Sequence, residues 1–326
     1  MKLRSLSFAA VFAVGAMLSS GAFGQTATDY PNRTVRIVVN FSAGGATDIV
    51  ARMLAQKLTD LWGQSVIVEN RAGAAGNIGA AEVAKATPDG YTLLMTSGSV
   101  MAANQHIYKN MGFNPQTDLI PITMVASGPQ VIVVHPSVPA KTLKELIDLA
   151  KAKPGTLNYG HAGIGSQTHL AAENFLFSTG IEIQNIPYKG EGPAVADLVA
   201  GQIHMATPNM PAAIGFINGG KLRALAVTSK ERSPALPNVP AASETVPGFE
   251  NAGWFGLTAP AGTPQPIIDK IARDTAKALD TTDTRARFFV MGMAPAPMTP
   301  QAFSKLIQNQ VGRWATVVRQ RKIAVN

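Results

Sequence analysis

The chain has 326 residues, 46% of them hydrophobic and 15% charged, with a net charge of +8. A chain so apolar and so weakly charged is not a disordered one, and its length allows two domains of ordinary size. It contains no cysteine, which excludes disulfides, thiolate zinc sites, iron–sulfur clusters, cysteine nucleophiles and a lipid-anchored N-terminal cysteine.

Lys2 and Arg4 precede an apolar run from Leu6 to Leu18, broken only by Ser7 and Gly15. Ala22-Phe23-Gly24 then offers small residues at the positions a signal peptidase reads. The pattern predicts a secretory signal peptide over residues 1–24, cut before Gln25, and hence a periplasmic protein. The run is too short for a comfortable membrane span, and no other approaches the ~18 residues one needs. Loss of Lys2 and Arg4 lowers the net charge from +8 to +6. Basic clusters interleaved with aromatics are missing, so nucleic acid is not an expected partner. The densest basic run, Arg319 to Lys322, reads as the complement of a helix C-terminus.

Beyond the leader, Val35 to Val39 reads as a strand and Ile49 to Leu61 as a helix, with Thr47 or Asp48 as its cap. Val66–Val68, then Ile78–Ala86, then Tyr91–Met95 continue as strand, helix and strand. The alternation resumes with helices at 142–152, 166–177 and 191–200 and strands at 157–159, 184–187, 203–206 and 222–227. Such alternation predicts parallel α/β sheets. Two helices follow, near 266–279 and 300–319, with little strand signal after Leu257. That tail has no sheet of its own and is expected to return to the first. Two extended segments, Ile122–Val134 and Gly253–Leu257, are the candidate crossings between lobes. The expected division is a discontinuous first domain, 25–127 plus 250–326, and a second domain, 128–249, hinged about a cleft.

Three loops carry candidate chemistry. Phe41-Ser42-Ala43-Gly44-Gly45-Ala46-Thr47-Asp48 follows a strand and opens a helix. Its amides, the helix N-terminus and the Ser42 and Thr47 hydroxyls could hold a carboxylate or phosphate, and the loop alone reads equally as an ordinary βα turn. Gly160-His161-Ala162-Gly163-Ile164-Gly165-Ser166-Gln167-Thr168-His169 repeats that design in the other lobe. His169 reads either as a donor to an anion or as a structural histidine. Thr96-Ser97-Gly98-Ser99 follows another strand of the first lobe, on the edge where open α/β sheets bind ligands, and reads as well as a solvated turn.

Enzyme and metal signatures fail. There is no G-x-S-x-G elbow and no H-E-x-x-H, and of the five histidines only His161 and His169 approach metal spacing, eight apart across a glycine turn, which is poor ligand geometry. Gly215 to Leu222 resembles a phosphate-binding loop but ends in Leu222 where a hydroxyl should hold magnesium, so Gly219-Gly220 reads as a helix-to-strand turn. No catalytic residue, cofactor or metal is expected.

Further segments carry a resemblance. Tyr30-Pro31, the Phe41–Asp48 loop, Val68-Glu69-Asn70-Arg71-Ala72-Gly73, Gly76-Asn77-Ile78-Gly79 and Pro88-Asp89-Gly90-Tyr91-Thr92-Leu93 form its first half. The Gly160–His169 loop, Ile186-Pro187-Tyr188-Lys189-Gly190, Ala224–Ser229, Arg232-Ser233-Pro234, Trp254–Leu257 and Pro260–Pro264 complete it. In this order the sequence resembles the solute-binding proteins of tripartite tricarboxylate transporters, often called Bug receptors. The resemblance implies an α/β, two-lobed periplasmic binding protein of type II-like form, with a hinge and an interdomain ligand cleft. It implies capture of a small carboxylate, a di- or tricarboxylate or an aromatic acid, and delivery to the permease subunits of such a transporter by a monomeric receptor that is not an enzyme. An orphan receptor signalling through a sensor kinase and, behind it, an exported α/β hydrolase are the alternatives.

Carried over residue by residue, the site falls on Phe41, Ser42, Ala43, Gly44, Gly45, Thr47 and Asp48, and on Ala162, Gly163, Ile164, Gly165, Ser166 and His169. Asp48 is expected to orient loop amides, because an anionic ligand would repel it. Relatives read G-x-V-D-x-x-F-D where this chain has Gly201 to Pro208, so Pro208 replaces a pocket carboxylate and predicts a ligand without positive charge. Thr207 and Asn209 remain there as neutral hydrogen-bonding groups. Ser42-Ala43 lacks the proline common in the first loop, and Gln310 stands where an acidic residue is frequent.

Overall fold

The computed structural model describes residues 29–321 and 323–324. The expected signal peptide lies outside the described residues. Strand β1 (Val35–Val39) is buried on nearly every position, as a central strand covered on both faces must be. Helix α1 (Ala46–Trp62) follows, burying Val50, Leu54 and Leu58 at helical spacing and ending at Gly63 in a left-handed cap. Next come β2 (Val66–Asn70), the short α2 (Asn77–Ala84) and β3 (Thr92–Ser97). Both β2 and β3 pair with β1 in parallel. A π-helical turn, 99–103, leads away from β3, and the long β4 (Leu119–Pro129) runs toward the second lobe.

The second lobe begins at β5 (Val131–Val134). It continues through α3 (Leu143–Ala152), β6 (Asn158–His161), α4 (Gln167–Thr179), β7 (Gln184–Pro187), α5 (Glu191–Val199), β8 (Met205–Ala206), α6 (Met210–Asn218) and β9 (Arg223–Val227). The chain then returns in β10 (Ala252–Pro260) and closes with α7 (Gln265–Leu279), α8 (Thr282–Val290), β11 (Ala294–Pro295) and α9 (Pro300–Arg321). The six-stranded sheet has the order β11-β4-β10-β3-β1-β2 and the five-stranded sheet β7-β6-β8-β5-β9.

The sheets are mixed, which corrects the expectation of parallel ones. β10 comes back from the second lobe and so enters antiparallel to both β3 and β4. β5 is likewise antiparallel to β8 and β9. The strand expected over 203–206 shortens to Met205–Ala206, and α8 was not anticipated from the sequence. Helices α1, α7 and α8 cover one face of the first sheet through Leu54, Ile267 and Phe288, and α2 and α9 cover the other through Val83 and Phe303. The second sheet is covered by α3 and α4 on one face and by α5 and α6 on the other.

The two crossings meet at Gln130, between β4 and β5. Its backbone N–H donates to the Thr228 hydroxyl at 2.8 Å, and its Oε1 accepts from Asn251 Nδ2 at 2.9 Å. Asn251 directly precedes β10, so one side chain joins the outgoing and returning strands.

Candidate functional site

The loop after β1 approaches the second lobe with its amides exposed by glycine. Gly45, in extended conformation, is the N-cap of α1, and no side chain of the helix caps it. The expected capping by Thr47 or Asp48 is therefore corrected: the helix starts before them. Asp48 sits in the first turn and accepts from the Gly44 N–H and from Asn70 Nδ2, each at 3.0 Å, and pairs with Arg52 at 2.9 Å. Burial pushes its carboxyl up, but the bonds from Arg52, Gly44 and Asn70 outweigh this and hold it below its ordinary range. Asp48 thus fixes the turn of the loop, while Gly45 and Thr47 line the cleft. Ala43 and Gly44 are exposed at its rim, and the buried Ser42 Oγ has no hydrogen-bond partner.

Thr96 and Ser97 lie in β3 and not in a loop, since the strand continues two residues further than Met95. Thr96 is buried, its hydroxyl accepting from Asn40 Nδ2 at 3.0 Å. Ser97 faces the cleft, 2.9 Å from the Ser99 hydroxyl.

In the second lobe the loop after β6 leads into α4, whose N-cap is Ser166. The Ser166 Oγ accepts from the His169 N–H at 3.3 Å and lies 3.1 Å from Thr168 Oγ1. Thr168 Oγ1 in turn accepts from the Ala162 N–H at 2.9 Å. Two loop amides turn inward: Gly163 N–H donates to His161 Nδ1 and Gly165 N–H to His169 Nδ1, both at 3.2 Å. The two rings lie 4.4 Å apart. Burial pushes each imidazole down to about 4, so both are neutral at pH 7. With Nδ1 of His169 accepting, its proton sits on Nε2, 3.7 Å from a Glu173 carboxylate oxygen. His169 thus accepts from its own loop, inside the second lobe. Ile164 points its carbonyl at the Tyr108 hydroxyl of the first lobe, 2.7 Å away, and a Cβ on Gly165 would come within 2.6 Å of Asn104 Oδ1. The Thr207 hydroxyl donates to the Thr168 carbonyl at 2.7 Å, inside its own lobe.

Between these faces lies a cavity of only about 20 Å³ as a water molecule would sample it, room for about one water. Of the expected residues, Phe41, Gly45, Thr47, Ser97, Ala162, Ser166 and Asn209 converge on it. Ser42, Ala43, Gly44, Asp48, Thr96, Gly163, Ile164, Gly165, His169 and Thr207 lie behind or beside that wall. Sequence reasoning missed Gln167, Thr168, Phe255 and, above all, Glu191.

Glu191 opens α5 and is 5% exposed. Its Oε2 accepts from the Ala46 N–H of the facing lobe at 2.8 Å, and its Oε1 from the backbone N–H of Asn209 at 2.5 Å and from Asn209 Nδ2 at 3.1 Å. Burial pushes this carboxyl up to about 7 against the pull of those three donors. A carboxyl therefore does stand on the cavity wall, supplied by Glu191 and not from position 208, where the resemblance led an acidic residue to be expected and the chain has proline. The legible signal was the Ile186–Gly190 segment, the second strand–glycine–helix turn of the second lobe.

Gln167 closes the cavity toward the hinge. Its Nε2 donates to the Trp254 carbonyl at 2.9 Å, and its buried Oε1 has no partner. It reaches this position because residue 253 is glycine: a Cβ there would lie 1.7 Å from Oε1. Beyond it lies a larger cavity of about 430 Å³, bordered by Trp254, Gln310, Arg313 and Trp314. Gln310 accepts from Trp254 Nε1 at 2.9 Å. Among the described residues, no three His, Asp or Glu gather as a metal site requires.

Comparison with known proteins identifies the family. The sequence model of the tripartite tricarboxylate transporter family receptor matches residues 50–323. The protein BugT of Bordetella pertussis is 40% identical over 297 residues, 90% of this chain and 91% of BugT. A Rhodopseudomonas palustris protein solved with adipate superposes with a TM-score of 0.89 at 36% identity, over 91% of this chain and all of that one, 100%. MatC from the same species, solved with bound malate, gives 0.84 at 33% identity, over 89% of this chain and 100% of MatC. The chain belongs to the tripartite tricarboxylate transporter receptor family of periplasmic solute-binding proteins.

Proposed function

We propose that this protein captures a small carboxylate, a di- or tricarboxylate or an aromatic acid, in the cleft between its lobes and delivers it to the permease of a tripartite tricarboxylate-type transporter. The observation that carries this reading is the opposition of two glycine-rich loops, each opening a helix: Gly45 and Thr47 at the start of α1 face Ala162, just after β6, and Ser166, the N-cap of α4, across one cavity. Amides and hydroxyls at two helix N-termini favour an anion from both sides. The adipate and malate held by two relatives are acids of this kind. Export by removal of residues 1–24, and domains of 25–127 plus 250–326 and 128–249, belong to the same proposal. The departure of the chain from the first sheet at Pro129 and its return at Ala252 support the division. The mechanism is binding with closure about the Gln130 crossing.

A thermal-shift screen of purified 25–326 tests the reading. The panel spans mono-, di- and tricarboxylates, aromatic acids and acidic amino acids. A ligand at about a hundred times its dissociation constant adds roughly 2.7 kcal/mol of stability. A shift with one group of acids is expected. No shift with any acid, even after the protein is unfolded, washed and refolded to remove a carried-over ligand, overturns the reading.

A further inference from the structure

Glu191 is the one charged side chain on the cleft wall among the described residues. No lysine or arginine stands beside it there. A carboxylate offers about four acceptor positions. Asn209 takes two of them, both on Oε1, and the Ala46 N–H takes one on Oε2. One position on Oε2 remains, on a residue that borders the cavity. The α1 amide that would meet an incoming carboxylate is also already engaged: the second lobe brings its own carboxylate to it. A plain anion entering this cleft therefore finds a buried carboxyl in its path and one fewer backbone donor.

We infer that Glu191 is the specificity-determining residue of the cleft: the free position on its Oε2 accepts from a hydroxyl or ammonium group of the ligand, so that the acid selected carries such a donor close to a carboxylate. The inference rests on the receptor reading above and narrows its ligand class. It also reverses the expectation drawn from Pro208, since a positive charge on the ligand now has a partner. The ligand carboxylate is left to the hydroxyls of Thr47, Ser97 and Ser166, which border the same cavity. Asn209 holds Glu191 in place, and it is itself held by Gln130 Nε2, which donates to its Oδ1 at 2.9 Å. The selecting carboxylate is thereby tied to the residue at which the two lobes join.

The test is calorimetric titration of the wild-type protein and of Glu191→Gln with succinate, malate and aspartate at pH 7.5. These acids share a four-carbon diacid frame and differ in the donor: none, a hydroxyl, an ammonium. The wild type is expected to bind malate or aspartate at least tenfold more tightly than succinate, the ~1.4 kcal/mol that one added hydrogen bond to a charged group supplies. In Glu191→Gln the ratio is expected to shrink to within about threefold, chiefly by a gain for succinate. A purely structural role would instead lower all three affinities together and leave the ratio alone. Thermal unfolding of the variant shows that it is folded. The wild-type ratio stands as a test even if it is not.

If none of the three binds but the screen has found a longer or aromatic acid, the same comparison is made between that acid and its hydroxylated or aminated form. An unchanged ratio in Glu191→Gln, or a wild-type preference for the donor-free acid, overturns the inference and leaves the receptor reading standing. Failure of every acid to bind overturns both.

Discussion

Closure of the lobes can be blocked with one carbon atom. Gly192 is the second residue of α5 and stands against the Phe41–Asp48 loop of the other lobe. A Cβ built there would lie 2.3 Å from the Ala43 carbonyl oxygen, where ordinary contact begins at 3.4 Å. The obstacle is backbone, so no rotamer change relieves it, and the loops must part by about 1 Å at this point. Within its own lobe the change is mild. Alanine in a helix is favoured over glycine by roughly 1 kcal/mol, and the restriction that Pro193 places on the preceding residue offsets part of that. Overpacking of this size costs about 1–3 kcal/mol, and here it is borne by any state in which α5 rests on the Phe41–Asp48 loop. Gly192→Ala is therefore expected to weaken acid binding by roughly tenfold to a hundredfold. Calorimetry reads the affinity, and small-angle scattering reads whether ligand still shrinks the molecule. Unaltered affinity together with an unaltered ligand-induced decrease in radius would refute the claim that the two lobes close against each other along this contact.

Three further outcomes are expected. Thr47→Ala combined with Ser166→Ala removes two cleft hydroxyls and should lower acid affinity at least tenfold by calorimetry. Because Ser166 also caps α4, the double variant should lose about 1 kcal/mol of stability in a denaturant titration. Gln167→Ala opens the small cavity to the larger one behind it, and should raise the affinity for adipate relative to succinate in the same assay. The pH dependence has a definite sign. The Glu191 carboxyl moves from an ordinary 4.5 to about 7 in the fold. The folded protein therefore holds a proton that the unfolded chain releases, and this contribution to stability, up to about 3 kcal/mol, declines as pH rises through 7. His161 and His169, depressed from 6.5 to about 4, act oppositely: their contribution is present above pH 6.5 and is lost as pH falls toward 4. Subtracting the melting profile of Glu191→Gln from that of wild type between pH 5 and 8 cancels the histidines, and the difference should favour wild type most at pH 5. A flat difference would sink the assignment.

Local pattern made most of the frame legible. The apolar period of Val50, Leu54 and Leu58 predicts α1 to within a few residues, and glycine marks its end. The alternation of strand and helix announces two α/β sheets. What alternation cannot express is direction. A strand that returns from another lobe has the same composition as one that follows a crossover helix, so the antiparallel entry of β10 was invisible in Trp254-Phe255-Gly256-Leu257. Helix α8 was hidden for another reason: Thr282–Val290 buries little beyond Thr284 and Phe288, so it carries almost no apolar period.

The site was legible only as far as its loops. Glycine, hydroxyl and helix start fall within ten residues of one another, so a motif can show them. The partner of the α1 amide is 145 residues away, in the bond from the Ala46 N–H to Glu191. Its sign also runs against the simplest electrostatic expectation. An acidic residue on the wall of a proposed anion site reads as an error until its surroundings are counted: two backbone N–H groups and one side-chain amide converge on it. Those donors offset the burial of a carboxyl that would otherwise be costly at the contact between lobes. Glu191 supplies the cleft with a carboxyl from the start of α5, and Asn209, next to Pro208 in the chain, provides two of its three donors.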